Sequence, residues 1–302
     1  MTQQPSIRRL AAVAALTNIA ILCTPALATE GGGSSYPNGV ETFLAGAVPP
    51  PGLYGLVYST NYSADRLRDN SGNDLNVPGF KVKATVVAPR LVWVPGQKLL
   101  DGDLVLHTIV PMVDLKVSAA GSSDSRRGLG DVTAGAGVAW HHSQSLHSVA
   151  AIDVFLPTGG HDKSRLANPG RNYLAWEPLY AVSYIDPRGL NADIKLGYMM
   201  NRRNSDTGYK SGDEFHFDYA LGWGLGGGWT AGVGGFYYQQ VTQDNKDGTD
   251  VAGNKGRAFA IGPAIKYDSG KGWLLMAKWQ KESAVRNRPE GSAFWLKAVL
   301  PF

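Results

Sequence analysis

His216 and Asp218 stand two positions apart, and on an extended chain residues at that spacing share a face. A carboxylate beside an imidazole can polarise it as a base. A base needs a nucleophile, and the chain contains no G-x-S-x-G elbow, no H-E-x-x-H helix and no Walker A loop. The pair therefore reads as lining of a polar interior rather than as catalysis. His141, His142 and His147 crowd one short connection, but adjacent strand residues point to opposite faces, so a shared metal is not expected. Asp244-Asn245-Lys246-Asp247-Gly248 has the look of a calcium loop. With Gly248 at the turn, however, Gln243 falls at the first ligand and Asn254 where the chelating Glu belongs. A solvated loop fits better, and no cofactor, metal or catalytic residue is expected.

Composition narrows the scaffold that holds these residues. Glycine supplies 38 of 302 positions and charged residues only 18%, against about 7% and 25% in average chains. Sparse charge and 10% aromatics oppose disorder. A formal net charge of +4 with no Lys/Arg block leaves no nucleic-acid surface. The single cysteine, Cys23, excludes disulfide scaffolds and cysteine-based zinc sites. Residues 1–28 read as a secretory signal peptide: Arg8 and Arg9, an apolar stretch over 10–22, then Ala26-Leu27-Ala28 for cleavage. That apolar stretch is too short to cross a hydrocarbon core of about 30 Å as a helix. Acylation of Cys23 would want a small residue before it, where Leu22 stands.

Beyond residue 52 the hydrophobic period is two, the mark of strands. Phe294, Leu296, Ala298, Leu300 and Phe302 share one face; Trp295, Lys297, Val299 and Pro301 share the other. Phe215, Phe217, Tyr219, Leu221 and Trp223 likewise oppose His216, Asp218, Ala220, Gly222 and Gly224. Twelve such segments can be read, at 53–62, 79–94, 102–117, 128–142, 145–157, 172–186, 190–201, 212–225, 228–243, 256–268, 272–283 and 291–302. Longer polar connections (63–78, 118–127, 158–171, 202–211, 244–255 and 284–290) alternate with shorter ones (95–101, 143–144, 187–189, 226–227 and 269–271). An even strand count with that alternation fits an all-β fold, a transmembrane antiparallel barrel with both termini at the periplasm. Lipid offers no partner to backbone N–H and C=O groups, so an exported chain without spanning helices must close its sheet. Aromatics near the strand ends (Tyr54, Trp140, Tyr184, Trp223, Trp229, Tyr267, Trp273 and Phe302 on the periplasmic side; Phe80, Phe215, Trp279 and Phe294 on the other) suit interface girdles. Pro89 and Pro111 each remove a ladder donor, so a bulge or break is expected there.

A series of short stretches runs through the mature chain. Tyr36-Pro37-Asn38-Gly39 precedes Pro49-Pro50-Pro51-Gly52-Leu53-Tyr54, Gly128-Leu129-Gly130-Asp131 and Leu156-Pro157-Thr158-Gly159. Thr207-Gly208-Tyr209-Lys210-Ser211-Gly212, Tyr238-Gln239-Gln240-Val241-Thr242 and Ile261-Gly262-Pro263 follow. In that order and spacing the chain resembles the transporter-like outer-membrane family associated with the meta-pathway of phenol degradation. The resemblance implies a transport-type barrel for aromatic or other apolar compounds.

With the greasy faces on lipid, the opposite positions should line the lumen: Lys81, Lys83, Asp114, Lys116, Asp131, Asp153, Glu177, Asp193, Lys195, His216, Asp218, Lys266, Lys278 and Lys297. A Lys or Arg against hydrocarbon at the midplane costs about 2–4 kcal/mol, so mid-strand charges face water or one another. Two readings stay open, a polar conduit and a salt-bridge network that closes a narrow barrel; small neighbours such as Gly135, Gly137, Ala220 and Gly222 favour the conduit. Residues 29–52, with a short apolar stretch at 40–48, should enter the lumen as a plug; a disordered periplasmic tail is the alternative. The barrel itself would occupy 53–302. The expected function is an outer-membrane channel of a Gram-negative cell for passive uptake of small hydrophobic or aromatic molecules, not an enzyme. A lipid-acting enzyme would need a nucleophile and base on the barrel exterior, where lipid-facing positions offer little beyond His107. A surface structural or adhesive barrel would need long sticky loops, and these are moderate and hydrophilic. The expected partners are outer-membrane lipid, a small-molecule substrate and the barrel-assembly machinery, through Phe302; nucleic acid is not among them.

Overall fold

A computed structural model gives the fold, and it describes residues 29–301. The expected leader at 1–28, with Cys23, and the terminal Phe302 lie outside the described residues. Alternating side chains between glycine-rich turns build long antiparallel strands: β1 (Gly52–Leu67), β2 (Lys81–Val94), β3 (Gly102–Ile109), β4 (Met112–Ala119), β5 (Ser122–Leu129), β6 (Val132–His141) and β7 (Leu146–Leu156). Then follow β8 (Ala175–Tyr184), β9 (Leu190–Asn201), β10 (Glu214–Gly226), β11 (Trp229–Gln240), β12 (Arg257–Asp268), β13 (Leu274–Arg286) and β14 (Pro289–Pro301). β1 pairs with β14 from Tyr54 opposite Pro301 to Leu67 opposite Pro289. The sheet therefore closes on itself, and β1, β2, β3 and β6 to β14 form a barrel of twelve antiparallel staves. Closure leaves the twelve-stranded ring itself no edge for lipid to starve of hydrogen bonds.

The outer surface is the apolar one. Leu221, Ile261, Ile265, Leu275, Leu296 and Leu300 are exposed, while their chain neighbours Ala220, Ala260, Ala264, Met276 and Lys297 are buried. Trp223, Trp229, Trp273 and Tyr184 are exposed at the end bearing the short turns. There Trp229 packs on Tyr267 at 4.7 Å between ring centroids and Tyr267 on Trp273 at 5.5 Å. Amphipathic rings stacked in a belt suit a headgroup layer.

At the other end the connections carry structure of their own. Arg203–Asn204, Tyr209–Lys210, Asp244–Lys246 and Thr249–Val251 make a small four-stranded sheet. Asp244 accepts hydrogen bonds from Tyr209 Oη (2.6 Å), the Gly212 N–H (2.7 Å), Gln240 Nε2 (2.7 Å) and Asn254 Nδ2. The loop that looked like a calcium site thus uses its buried carboxylate to tie outer segments together. Two expected connections are strand instead. Residues 118–127 belong to the β4–β5 hairpin, and 284–290 is a tight turn at Asn287 and Arg288.

Both suspect prolines stand at one discontinuity. β2 stays continuous against β1 through Pro89, but on its other edge it changes partner. Lys81 to Val87 pair with β4, and Arg90 to Trp93 pair with β3. Pro111 separates β3 from β4, and Gly130 and Asp131 separate β5 from β6 at the same level. The β4–β5 hairpin therefore leaves the ring. β5 pairs only with β4, whereas β6 pairs with β7 up to Val132 opposite Leu156. The gap between β5 and the ends of β7 and β8 is occupied by residues 157–174 rather than by a strand. One backbone bond crosses it, from the Gly160 N–H to the Leu129 carbonyl (3.0 Å). Proline at two neighbouring ladder positions supplies the physical cause.

Candidate functional site

Residues 29–50 lie among the inward-facing side chains. The Asp218 carboxylate on β10 accepts hydrogen bonds from Tyr36 Oη (2.7 Å), the Gly39 N–H (2.8 Å) and the Glu41 N–H (2.8 Å). Gly39 has φ +82°, a left-handed conformation that glycine takes without strain. Tyr36 stacks on His216 at 4.2 Å, with Lys195 Nζ 4.0 Å over its ring. The Ala45 N–H donates to Asp193 (3.0 Å) and the Gly46 N–H to Ser183 (2.8 Å). Phe43 is fully buried; a Cβ on Gly222 would come within 2.7 Å of its ring. That bare glycine wall is what admits the phenyl group.

Glu41 is the charge at the centre. Its carboxylate meets Lys297 Nζ at 2.7 Å and Arg90 Nη1 at 3.5 Å, and it accepts from Tyr58 Oη at 3.0 Å. Its carbonyl accepts from Lys278 Nζ (2.6 Å). Burial alone would raise this carboxyl, but Lys297 and then Arg90 outweigh it and hold it down at about 2. Burial also raises the Tyr36 hydroxyl, and Asp218 raises it further. Tyr36 is therefore a neutral donor. Nearby, Lys195 Nζ lies 3.2 Å from Glu177 and His107 Nε2 2.9 Å from Asp153.

Of the expected lumen residues, Asp153, Glu177, Asp193, Lys195, His216, Asp218, Lys266, Lys278 and Lys297 are buried inside the barrel. Asp131 holds the wall break, accepting from the Gly159 N–H (2.9 Å) and the Arg171 N–H (2.7 Å). Lys81, Lys83, Asp114 and Lys116 are on the outer face instead. They alternate with Ala84, Val86, Val113 and Leu115, which line the interior. The cause is a strand apolar on both faces: in β2 and β4 the greasier parity turns inward, so the charges turn out. His107 moves the opposite way, from an expected lipid position to the interior beside Asp153. Sequence reading missed Arg90, and it placed Glu41 only within an inserted segment. His141 and His147 are cross-strand neighbours, Nδ1 to Nδ1 2.7 Å; their symmetry about the turn at 143–144 was the available signal.

Between the inserted segment and one sector of the wall runs a cavity of about 930 Å³. Leu56, Ala88, Val92, Val105 and Val149 form its apolar side. Pro111, Val113, Leu115, Gly130 and Pro169 line it where the wall breaks, and Ile185, Lys271 and Gly272 line it at the short-turn end. An apolar passage of that size suits a small molecule.

A family model described as "Putative MetA-pathway of phenol degradation" matches residues 64–298. No curated protein matches the sequence. Among solved structures, an outer membrane channel from Pseudomonas putida F1 is similar at 19% identity and TM-score 0.73, over 85% of this chain and 97% of that one. The β domain of the Bordetella autotransporter BrkA follows at 12% identity and TM-score 0.49, over 83% of this chain and 99% of that one. At such identities the first likeness speaks to the fold, and the second carries no argument.

Proposed function

The chain belongs to the family described as putative MetA-pathway of phenol degradation, and from that premise we propose that it is an outer-membrane channel for passive uptake of small hydrophobic or aromatic molecules. The observation that carries the reading is the apolar cavity joining the wall break to the short-turn end. A water-filled porin lumen would reject such solutes by desolvation in reverse, whereas an apolar sleeve accepts them at about 25 cal/mol per Å² of buried apolar area. Entry through the break at Pro111 and Gly130 lets a solute pass between the lipid-covered belt and the sleeve. Residues 29–52 act as the plug of a barrel spanning 53–302, seated on Asp218 and Asp193, and leave only the sleeve open. No bond is made or broken. The buried charges brace the plug, and Glu177, Lys266 and the other inward charges line the lumen around it. Export by the leader at 1–28 and recognition of Phe302 by the barrel-assembly machinery complete the route to the outer membrane.

The test uses outer-membrane vesicles with a lipopolysaccharide outer leaflet, because that leaflet slows apolar solutes. Vesicles carrying the protein should take up ethylbenzene and benzyl alcohol several-fold faster than empty vesicles, with no gain for glucose. Equal rates with and without the protein overturn the reading.

A further inference from the structure

Within the apolar sleeve several polar atoms have no hydrogen-bond partner. Trp295 Nε1 and Thr60 Oγ1 are two of them, on cross-strand neighbours of β14 and β1. Arg90 Nε and His107 Nδ1 are two more, on β2 and β3, where Arg90 opposes Ile109 and Val92 opposes His107. All four residues line the cavity. Arg90 lies beside Leu56 and Thr60 four residues further along β1, which places the pairs roughly 13 Å apart along the wall. The first pair lies toward the outer end, at the level of Val113 beyond the break, since Thr60 opposes Val86 and Val86 opposes Val113; the second lies toward the short-turn end, where Arg90 opposes Ile109.

The chemistry of the atoms selects a ligand. Indole Nε1 and guanidinium Nε donate and never accept, so a buried orphan of either kind calls for an oxygen acceptor. At the inner pair Asp153 faces His107 Nε2, which fixes the proton there and leaves Nδ1 of the neutral ring as an acceptor. Thr60 Oγ1 can also accept. Each pair thus offers one donor and one acceptor. A hydroxyl satisfies both; a carboxylate would meet the His107 lone pair, an ether supplies no proton, and a hydrocarbon leaves both unmet.

Resting on the channel reading, we propose that Thr60 with Trp295, and Arg90 with His107, are two successive stations for the hydroxyl group of small apolar alcohols or phenols. The apolar body slides along the valine and leucine wall while its hydroxyl passes from the outer station to the inner one. This makes the sleeve selective for monohydroxylated rings over hydrocarbons of equal size.

The same vesicles test it with benzyl alcohol, benzyl methyl ether, benzoate and ethylbenzene. Corrected for each solute's rate into empty vesicles, benzyl alcohol should lead by about two- to tenfold, the range one hydrogen bond supplies. Trp295→Phe and Arg90→Met should each shrink the ratio of benzyl alcohol to ethylbenzene by a similar factor. Heat-modifiable migration on gels reports whether each variant folds, and the conservative Trp295→Phe stands if Arg90→Met does not. Four equal rates, or a ratio unmoved in a folded Trp295→Phe barrel, overturn the stations while the channel reading survives. Faster benzoate overturns the hydroxyl assignment. No protein-dependent uptake of any solute overturns the channel reading beneath.

Discussion

The two halves of the barrel wall look alike to lipid and opposite to the lumen. β9 to β13 turn Asp193, Lys195, His216, Asp218, Lys266 and Lys278 inward. β1, β2, β3, β6 and β7 turn inward a cluster of Leu56, Tyr58, Ala88, Val92, Val94, Val105, Ala139 and Val149. The inserted segment bonds to the first sector through Asp218 and Asp193, and to the adjoining β8 through Ser183. On the second it touches Tyr58 and Arg90 through Glu41, and beside those contacts it leaves the cavity. An inserted segment rich in backbone N–H groups has to sit where acceptors are, so the polar sector becomes the seat and the apolar sector the passage. The side of a barrel that can conduct apolar molecules is therefore decided by where its plug finds hydrogen bonds.

Removing the seat's occupant should have the largest effect. Deletion of residues 29–50 should raise single-channel conductance several-fold, because it exposes the charged sector to water; an unchanged conductance rejects the plug. Asp218→Ala comes next. It strands the Tyr36 hydroxyl and two N–H groups, costing plug docking roughly 3–5 kcal/mol by analogy with broken buried pairs. Since Cys23 is the only cysteine and falls in the expected leader, a single Thr42→Cys probe, made with Cys23→Ser, reports docking: maleimide labelling should be slow in the parent barrel and fast with Asp218→Ala.

Acid should undo the same seat from the side of Glu41. Its carboxyl, ordinarily near 4.5, is held at about 2, and a depressed acid contributes stability that is lost as pH falls through its folded value. Labelling at Thr42→Cys, pulsed at each pH and read after return to neutrality, should stay slow down to about 4.5 and rise between there and 2. Release already complete at pH 6 would show that Glu41 is not the clamp. In the passage, by contrast, Val105→Glu should cut ethylbenzene uptake at least about tenfold, since about 1.4 kcal/mol of lost partitioning suffices. Ala220→Glu, in the seat, should disturb the plug rather than the solute.

Apart from β11, where adjacent Tyr237 and Tyr238 leave the parity ambiguous, the strands from 190 onward were legible because each has one apolar and one polar parity, so Leu221 against Asp218 and Leu296 against Lys297 leave no choice of face. Pro89 and Pro111 announced a break, though not that both stand at the same one, because ladder register lies outside sequence patterning. The β2–β5 region resisted for a related reason. Val82, Ala84, Val86 and Ala88 stand against Val87, Leu91 and Trp93, so both parities carry apolar residues, and the greasier one, which a barrel would be expected to turn to lipid, turns inward instead. Arg90 gave no sign of itself for the same cause: it sits alone on the face that seemed the greasy one.

The smallest expected effect tests that parity directly. Lys83 and Lys116 oppose one another on the outer face of β2 and β4, at the end where the hairpin leaves the ring. Arg127 there pairs with Asp114 at 2.6 Å in the open, and exposed pairs of that kind contribute little. Lys83→Met with Lys116→Met should leave solute uptake and Thr42→Cys labelling unchanged within error. Lys297→Met, which removes the 2.7 Å partner of Glu41, should speed labelling. If the exposed double variant changed uptake as strongly as Val105→Glu, the two lysines would have to face the passage. The inward parity of β2, on which the apolar sleeve depends, would then be reversed.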